Sequence, residues 1–279
     1  MKFLSPAFIL LCFKPIFRLK RQPLLSFLII LILSHSPAIA QGPMCAAAVQ
    51  SERVEKNLFN VGRGFSEYAK KITRTGKSLF QIFTSLPKDS IWFDMGAGLS
   101  HALTHGLLKF DQIKKGVAVV YKNPKDYQDP RNLHPKLNDR YENLEGELVQ
   151  DLYLNGKLDP YLGKVHVITD VYGPLTYTRS INEVLQIYLD LLAPGGKIYF
   201  IIREGSNPIY SSTNRNPNWM NFLKSIDGVE VLKLSPENNP EKESSFVIQK
   251  IKSKALVKKP LTEKLYEDGL SLRRVFWWN

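Results

Sequence analysis

Apolar strands that alternate with amphipathic helices constrain this chain more than any other feature. From about residue 60 onward, short apolar runs suited to buried strands occur at 91–93, 117–121, 165–169 and 198–202. Helical patterns lie between them, for example at 99–110 and 181–192. Strands that are apolar throughout and are separated by helices form parallel sheets covered on both faces. The sequence therefore predicts an α/β protein with a doubly wound, mostly parallel sheet.

Local signals add detail to this pattern. Ser180 and Glu183 have the spacing of a capping box at the start of the helix at 181–192. Apolar residues at helical spacing predict a further helix that starts at Leu79 and stops near Pro87. We expect an exposed loop at 122–140.

Two further predictions concern the remaining strands. A short third strand is expected at 147–149. The runs 229–234 and 245–251 have no helix between them. They therefore predict an antiparallel hairpin at one edge of the sheet.

The positive charge of the chain is concentrated at its two ends. Lys and Arg number 38 against 26 Asp and Glu, a net charge of +12. Residues 1–40 hold five basic residues and no acidic one, and residues 250–279 hold eight basic residues against three acidic ones. Nucleic-acid-binding domains instead carry a basic stripe on the folded surface. The sequence therefore gives no strong signal for a nucleic-acid partner.

Residues 1–40 have the order of a secretory signal peptide. Basic residues precede the apolar run 24–33, and Ala38-Ile39-Ala40 supplies a small-x-small cleavage site. The run is shorter than the about 20 residues of a membrane-spanning helix. We predict an exported protein, periplasmic or secreted, with membrane contact only through an uncleaved leader. Two alternatives stay open: a membrane-anchored protein, and a cytoplasmic protein whose translation starts at Met44.

A glycine-containing turn follows the first predicted strand. The letters DMGAG at 94–98 lead from that strand into a helix. Ligands of open parallel sheets bind beyond the carboxyl ends of the strands, and glycines let the backbone approach a ligand closely. Nicotinamide-binding enzymes have G-x-G-x-x-G at this turn, a spacing that this chain lacks.

The conjunction of motifs is more specific than the turn alone. The chain resembles the class I S-adenosylmethionine-dependent methyltransferases in three features and in their order along the sequence. These are DMGAG at 94–98, LLAPGGK at 191–197 and the terminal hairpin. The resemblance covers about residues 60–252. It implies a Rossmann-like sheet of seven strands whose last strand is antiparallel. It also implies the function of a methyltransferase, whose methyl acceptor and catalytic residues stay unknown.

This resemblance divides the chain into four segments. We expect a signal peptide or anchor at 1–40, a linker at 41–59, a class I methyltransferase-like domain at 60–254, and a basic and aromatic tail at 255–279. The aromatic run FWW at 276–278 is expected to pack the tail onto the domain.

The resemblance further implies a site for the cofactor S-adenosylmethionine. The turn residues would lie at its methionine end, the acid that follows Leu144-Glu145-Gly146 near its adenine, and the acid that ends the fourth strand beside both cofactor and substrate. These cofactor-binding residues are Asp94, Gly96, Gly98, Glu147 and Asp170.

One position departs from the family. The second strand runs into Lys122, where the family has an acid that holds both ribose hydroxyls, and Lys only donates hydrogen bonds. The nearest acid is Asp126. With the predicted export, this departure motivates an alternative function: an exported, non-catalytic binding protein that retains the fold.

Three other residues are candidates for a functional role. Tyr172, close to the end of the fourth strand, is expected to shape the site of the methyl acceptor. His101 and His105 lie on one helix face. They lack the Glu of the zinc-binding H-E-x-x-H motif, so we predict no metal site.

Overall fold

The computed structural model describes residues 62–72, 79–123, 127–203, 209–211, 219–234, 243–258, 261–268 and 271–278. The expected leader, the linker with Met44, and Asp126 lie outside these residues. What we expect of them therefore stays a prediction.

The strands and helices are as follows. The strands are β1 (Ser90–Met95), β2 (Ile113–Val120), β3 (Tyr141–Glu145), β4 (Val165–Val171), β5 (Leu192–Arg203), β6 (Ile209–Ser211), β7 (Val229–Lys233), β8 (Glu243–Lys250), β9 (Leu261–Asp268) and β10 (Ser271–Trp278). The helices are α1 (Phe65–Ile72), α2 (Leu79–Thr84), α3 (His101–Lys109), α4 (Pro130–Leu133), α5 (Val149–Leu154), α6 (Pro174–Tyr177), α7 (Ile181–Leu191) and α8 (Trp219–Lys224).

A seven-stranded sheet with the order β3-β2-β1-β4-β5-β8-β7 organises the molecule. The pairs from β3 to β5 are parallel, whereas β8 runs antiparallel to both β5 and β7. This arrangement confirms the predicted doubly wound, seven-stranded, mostly parallel sheet with an antiparallel terminal hairpin. The chain therefore has a Rossmann-like fold.

Both faces of the central strands are buried. Successive side chains of a strand point to opposite faces, so Trp92 and Phe93 of β1 enter two different hydrophobic clusters. Helix α7 packs in the cluster of Phe93, and helices α1 to α3 pack in the cluster of Trp92. Two-sided burial explains why the central strands show continuous apolar runs in the sequence.

The third strand was predicted at the wrong place. It spans Tyr141–Glu145, whereas Glu147 and Leu148 lie in the loop that follows, and Val149 begins α5. Strand β3 is an edge strand, and its residues are mostly half-buried. It therefore carries polar residues and no apolar run that could reveal it.

Two smaller predictions are also corrected. Ser180 occupies the N-cap of α7, but its side chain makes no capping hydrogen bond; its backbone N–H donates to the Thr178 hydroxyl instead. The expected loop at 122–140 contains α4 and a 3₁₀ turn at Pro135–Leu137. Both begin with proline, which suits the first position of a helix.

The C-terminal segment forms a second, three-stranded sheet with the order β6-β10-β9. Phe276 pairs with Ile209 in this sheet, and both side chains are buried in the cluster of Phe93. Phe276 of the aromatic run thus packs onto the domain from within a strand.

Among the residues that the structure describes, no helix combines the length and the apolar character that crossing a bilayer requires.

Candidate functional site

A pocket lies at the carboxyl ends of strands β1 to β4. It encloses about 750 Å³ of empty space, open solvent included. The strand order reverses between β1 and β4, and such a switch point is where open α/β sheets bind their ligands. The loops after these four strands supply most of the lining residues, and Arg63, which precedes α1, completes it.

The turn after β1 brings Gly96 and Gly98 into the lining. Both have positive φ angles, 75° and 54°, which favour glycine. A Cβ atom on Gly96 would lie only 2.6 Å from the Cα atom of Gly173. The N–H of Gly96 donates to the Val119 carbonyl instead of facing the pocket. The first glycine therefore packs the loops after β1 and β4 together.

Glu147 lines the pocket from the loop after β3. Its neighbour Glu145 does not line it, and the Glu145 carboxylate accepts a hydrogen bond of 2.9 Å from Asn123. Gln150, in the first turn of α5, is almost fully buried and also lines the pocket. Glu147 and Gln150 thus both line the pocket from the segment after β3.

Asp94 does not line the pocket, although it ends β1. Its side chain is fully buried and accepts hydrogen bonds from the Thr169 hydroxyl at 2.8 Å and the Tyr68 hydroxyl at 3.2 Å. Burial raises the pKa of Asp94 to about 7, although these two donors and Arg63 oppose the rise. The carboxylate therefore holds β4 and α1 against β1.

Asp170 is also fully buried and lies outside the lining. Its carboxylate accepts hydrogen bonds from the N–H groups of Gly173 and Leu175 and from the Tyr188 hydroxyl, at 2.7 to 3.0 Å. Burial raises the pKa of Asp170 to about 6, and these donors oppose the rise. Asp170 therefore fixes the loop after β4.

The loop after β4 presents Tyr172 to the pocket. The Arg63 guanidinium lies over its ring, 5.1 Å from the centroid, and the Lys71 Nζ atom lies 5.0 Å from the same centroid. Lys71 also donates a hydrogen bond of 3.0 Å to the Tyr172 hydroxyl. Two cations thus flank one aromatic ring at the pocket.

The end of β2 differs from the sequence-based expectation that Lys122 lies at the cofactor. The strand ends at Val120, and Tyr121 lines the pocket. Lys122 is exposed and does not line it. The residue that follows β2 at the pocket is therefore Tyr121 and not Lys122.

The structure thus brings three of the five predicted cofactor residues to one pocket: Gly96, Gly98 and Glu147. The motifs gave no signal for Arg63, Tyr121 or Gln150. A signal does exist for Tyr121, because it is the first polar residue after the apolar run of β2.

The two helix histidines form no metal centre with other described residues. The ring centroids of His101 and His105 lie 6.4 Å apart. In the described ranges, no group of three His, Cys, Asp or Glu side chains is placed to hold a metal ion.

No known family model matches the sequence, and no curated protein sequence does so either. Solved methyltransferase structures do match. A predicted O-methyltransferase from Agrobacterium tumefaciens is 13% identical, with 60% of this chain and 76% of that chain covered and a TM-score of 0.39. The CurJ carbon methyltransferase is 15% identical, with 62% of this chain and 52% of that chain covered and a TM-score of 0.43. A geranyl diphosphate methyltransferase in complex with S-adenosylmethionine is 10% identical, with 61% of this chain and 81% of that chain covered and a TM-score of 0.41. These likenesses concern the fold and identify no acceptor.

Proposed function

We propose that this chain is an S-adenosylmethionine-dependent methyltransferase that binds its cofactor in the pocket at the carboxyl ends of β1 to β4. The observation that carries the proposal is the convergence of Gly96, Gly98 and Glu147 on one pocket at the switch point of the sheet. The acceptor is not specified by these residues.

The lining fits the chemical groups of this cofactor. The Glu147 carboxylate accepts hydrogen bonds, which suits ribose hydroxyls or the amino group of adenine. Val120 and Leu148 give the pocket apolar surface for a flat base, and the Gln150 carboxamide offers both a donor and an acceptor. A pocket of mainly apolar lining with a few polar groups is typical of cofactor sites.

When bound, S-adenosylmethionine supplies an electrophilic methyl group for transfer to a nucleophile. The contribution of the protein is to hold the two reactants in line, which converts a bimolecular reaction into an effectively unimolecular one. The loops after β1 and β4 suit this role because they are fixed by buried contacts. Gly96 packs against Gly173, and Asp170 binds two N–H groups of the second loop.

Calorimetric titration of the purified full-length protein with S-adenosylmethionine tests the proposal. We expect binding, and we expect Glu147→Gln to weaken it about tenfold or more. A hydrogen bond to a charged group contributes about 1.5–3 kcal/mol, and 1.4 kcal/mol corresponds to one decade of affinity.

Glu145→Gln is the matched control. Glu145 lies two residues away, is exposed, and does not line the pocket, so its replacement should leave the affinity unchanged. A wild-type protein that releases no heat at millimolar ligand would contradict the proposal. That result would favour the alternative of a non-catalytic binding protein that retains the fold.

A further inference from the structure

The Tyr172 ring at the pocket has an unusual electrostatic environment. The Lys71 Nζ atom lies 3.0 Å from its hydroxyl oxygen, and the Arg63 guanidinium carbon lies 5.1 Å from its ring centroid. Lys has only hydrogen-bond donors, so the Tyr172 oxygen must be the acceptor in this contact. Both cations favour the ionised form of the phenol over the neutral form.

The backbone of Tyr172 is held in a conformation that is rare for aromatic residues. Its φ angle is 56°, in the left-handed region. The carboxylate of Asp170 fixes the next residues by binding the N–H groups of Gly173 and Leu175, and Arg63 donates to the Val171 carbonyl. Strained residues that their surroundings hold in place cluster at functional sites. The fold therefore maintains this tyrosine at the pocket at an energetic cost.

The acidic groups around this cluster each have partners. They are Glu67, Asp94, Asp170 and Glu243. Glu67 lies 3.9 Å from Arg63, and Glu243 lies 3.9 Å from Lys71. The two aspartates are buried, and each accepts hydrogen bonds from hydroxyl or N–H groups, including those of Tyr68 and Tyr188. Each of these four carboxylates thus has a partner other than Tyr172.

We propose that the Tyr172 hydroxyl oxygen, as a phenolate, is the proton acceptor for a hydroxyl-bearing methyl acceptor in this pocket. This proposal rests on the proposed function. The acceptor's O–H bond breaks, and its proton passes to the oxygen of Tyr172. The acceptor oxygen bonds to the methyl carbon, the carbon–sulfur bond breaks, and its electron pair stays on sulfur. Lys71 and Arg63 act as positioning residues that stabilise the phenolate.

The test is a pH titration of phenolate absorbance near 295 nm on the full-length protein without any ligand. Of the 12 tyrosines in the chain, we expect one to ionise at least one pH unit below the ordinary value of about 10. Tyr172→Phe should remove that transition. Lys71→Met should move it to higher pH, and Lys71→Arg, which keeps a cationic donor, should leave it low.

Tyr210→Phe is the control. Tyr210 stacks on Trp277 in the small sheet and does not line the pocket, so its loss should leave the early transition unchanged. The proposal is overturned if Tyr172→Phe removes no transition below pH 10, or if Lys71→Met does not shift it.

A second measurement separates this proposal from the proposed function. Tyr172→Phe should bind S-adenosylmethionine within about threefold of the wild type, because its hydroxyl acts on the acceptor. A loss of more than about tenfold would make Tyr172 a cofactor residue and overturn the proposal. An early Tyr172 transition in a wild-type protein that binds no S-adenosylmethionine would instead overturn the proposed function.

Discussion

The Tyr68 hydroxyl donates a hydrogen bond of 3.2 Å to the Asp94 carboxylate and thereby joins helix α1 to the end of strand β1. Thr169 of the neighbouring strand β4 donates to the other carboxylate oxygen at 2.8 Å. Both oxygens are thus engaged inside the protein. The aspartate of the DMGAG motif therefore ties α1 and β4 to the end of β1 beside the pocket.

The buried Asp94 carboxyl should make stability depend on pH. Its pKa of about 7 in the folded protein lies above the value of about 3.9 in an unfolded chain. Between these values the folded state binds more protons, so the free energy of unfolding falls as the pH rises from about 4 to about 7. Asp94→Asn removes this titration. We expect the fall to shrink by roughly 1–3 kcal/mol in urea unfolding at pH 4.5 and 7.5.

Two other carboxyls serve as references for that measurement: one contributes to the same fall, and the other is a control. Asp170, whose pKa burial raises to about 6, should preserve a smaller fall of the same sign in the variant. Asp227 is exposed, and its hydrogen bonds to Lys258 and Lys252 lower its pKa to about 2. Asp227→Asn should therefore leave the slope between pH 4.5 and 7.5 unchanged. An Asp94→Asn slope equal to that of the wild type would show that Asp94 is ionised throughout this range.

The end of β2 gives a matched pair of substitutions for cofactor recognition. Tyr121 lines the pocket, whereas Lys122 is exposed outside it. A carboxylate at the pocket would accept hydrogen bonds from both ribose hydroxyls, at about 1.5–3 kcal/mol for a charged acceptor. We expect Tyr121→Asp to tighten S-adenosylmethionine binding about tenfold and Lys122→Asp to change it less than about twofold. Calorimetry would contradict this placement if Lys122→Asp were the variant that binds more tightly.

The sequence predicts the central sheet well because of how that sheet is buried. Strands β1, β2, β4 and β5 are covered on both faces, so each contains a continuous apolar run. Strand β3 lies at the edge of the sheet and contains no continuous apolar run. Its residues YENLE are mostly half-buried and give no periodic signal. Strands β9 and β10 escaped prediction because their many charged residues favour an interpretation as a solvated tail.

The site is less predictable because its residues meet only through the sheet topology. Gly96 and Gly98 follow a strand that the apolar pattern locates, whereas only the family resemblance indicates Glu147. Arg63 precedes a helix that carries no motif, and its approach to Tyr172 depends on where α1 packs. The internal hydrogen bonds of Asp94 and Asp170 could not be inferred either. The sequence around a carboxylate at a strand end does not reveal whether the side chain faces a ligand or a neighbouring backbone.

Gly173 should be essential for the junction of the two loops at the pocket. A Cβ atom there would lie 2.2 Å from the Met95 carbonyl oxygen and 2.8 Å from Asp170 Oδ1, so an added methyl group would push the loops apart. We expect Gly173→Ala to lower the free energy of unfolding by about 1–3 kcal/mol, the usual cost of overpacking. Gly64→Ala is the control, because the nearest atom to its Cβ is 4.0 Å away. Chemical unfolding that ranks Gly64→Ala as the more damaging change would contradict this account.

Lys250 should stabilise the fold through a buried ammonium group. Its side chain is 5% exposed, and Nζ donates to the carbonyls of Leu189 at 2.7 Å and Leu192 at 2.8 Å, which binds the end of α7 to strand β8. Lys250→Met keeps the chain length but leaves these carbonyls without their donor, at a cost of roughly 1–3 kcal/mol. Lys252→Met removes only an exposed ion pair with Asp227, which contributes about 0–1 kcal/mol. Thermal and urea unfolding of the two variants should therefore separate them clearly. Equal stability of both variants would mean that the carbonyls at the end of α7 find other donors, and that the ammonium group is not what fixes this helix to the sheet.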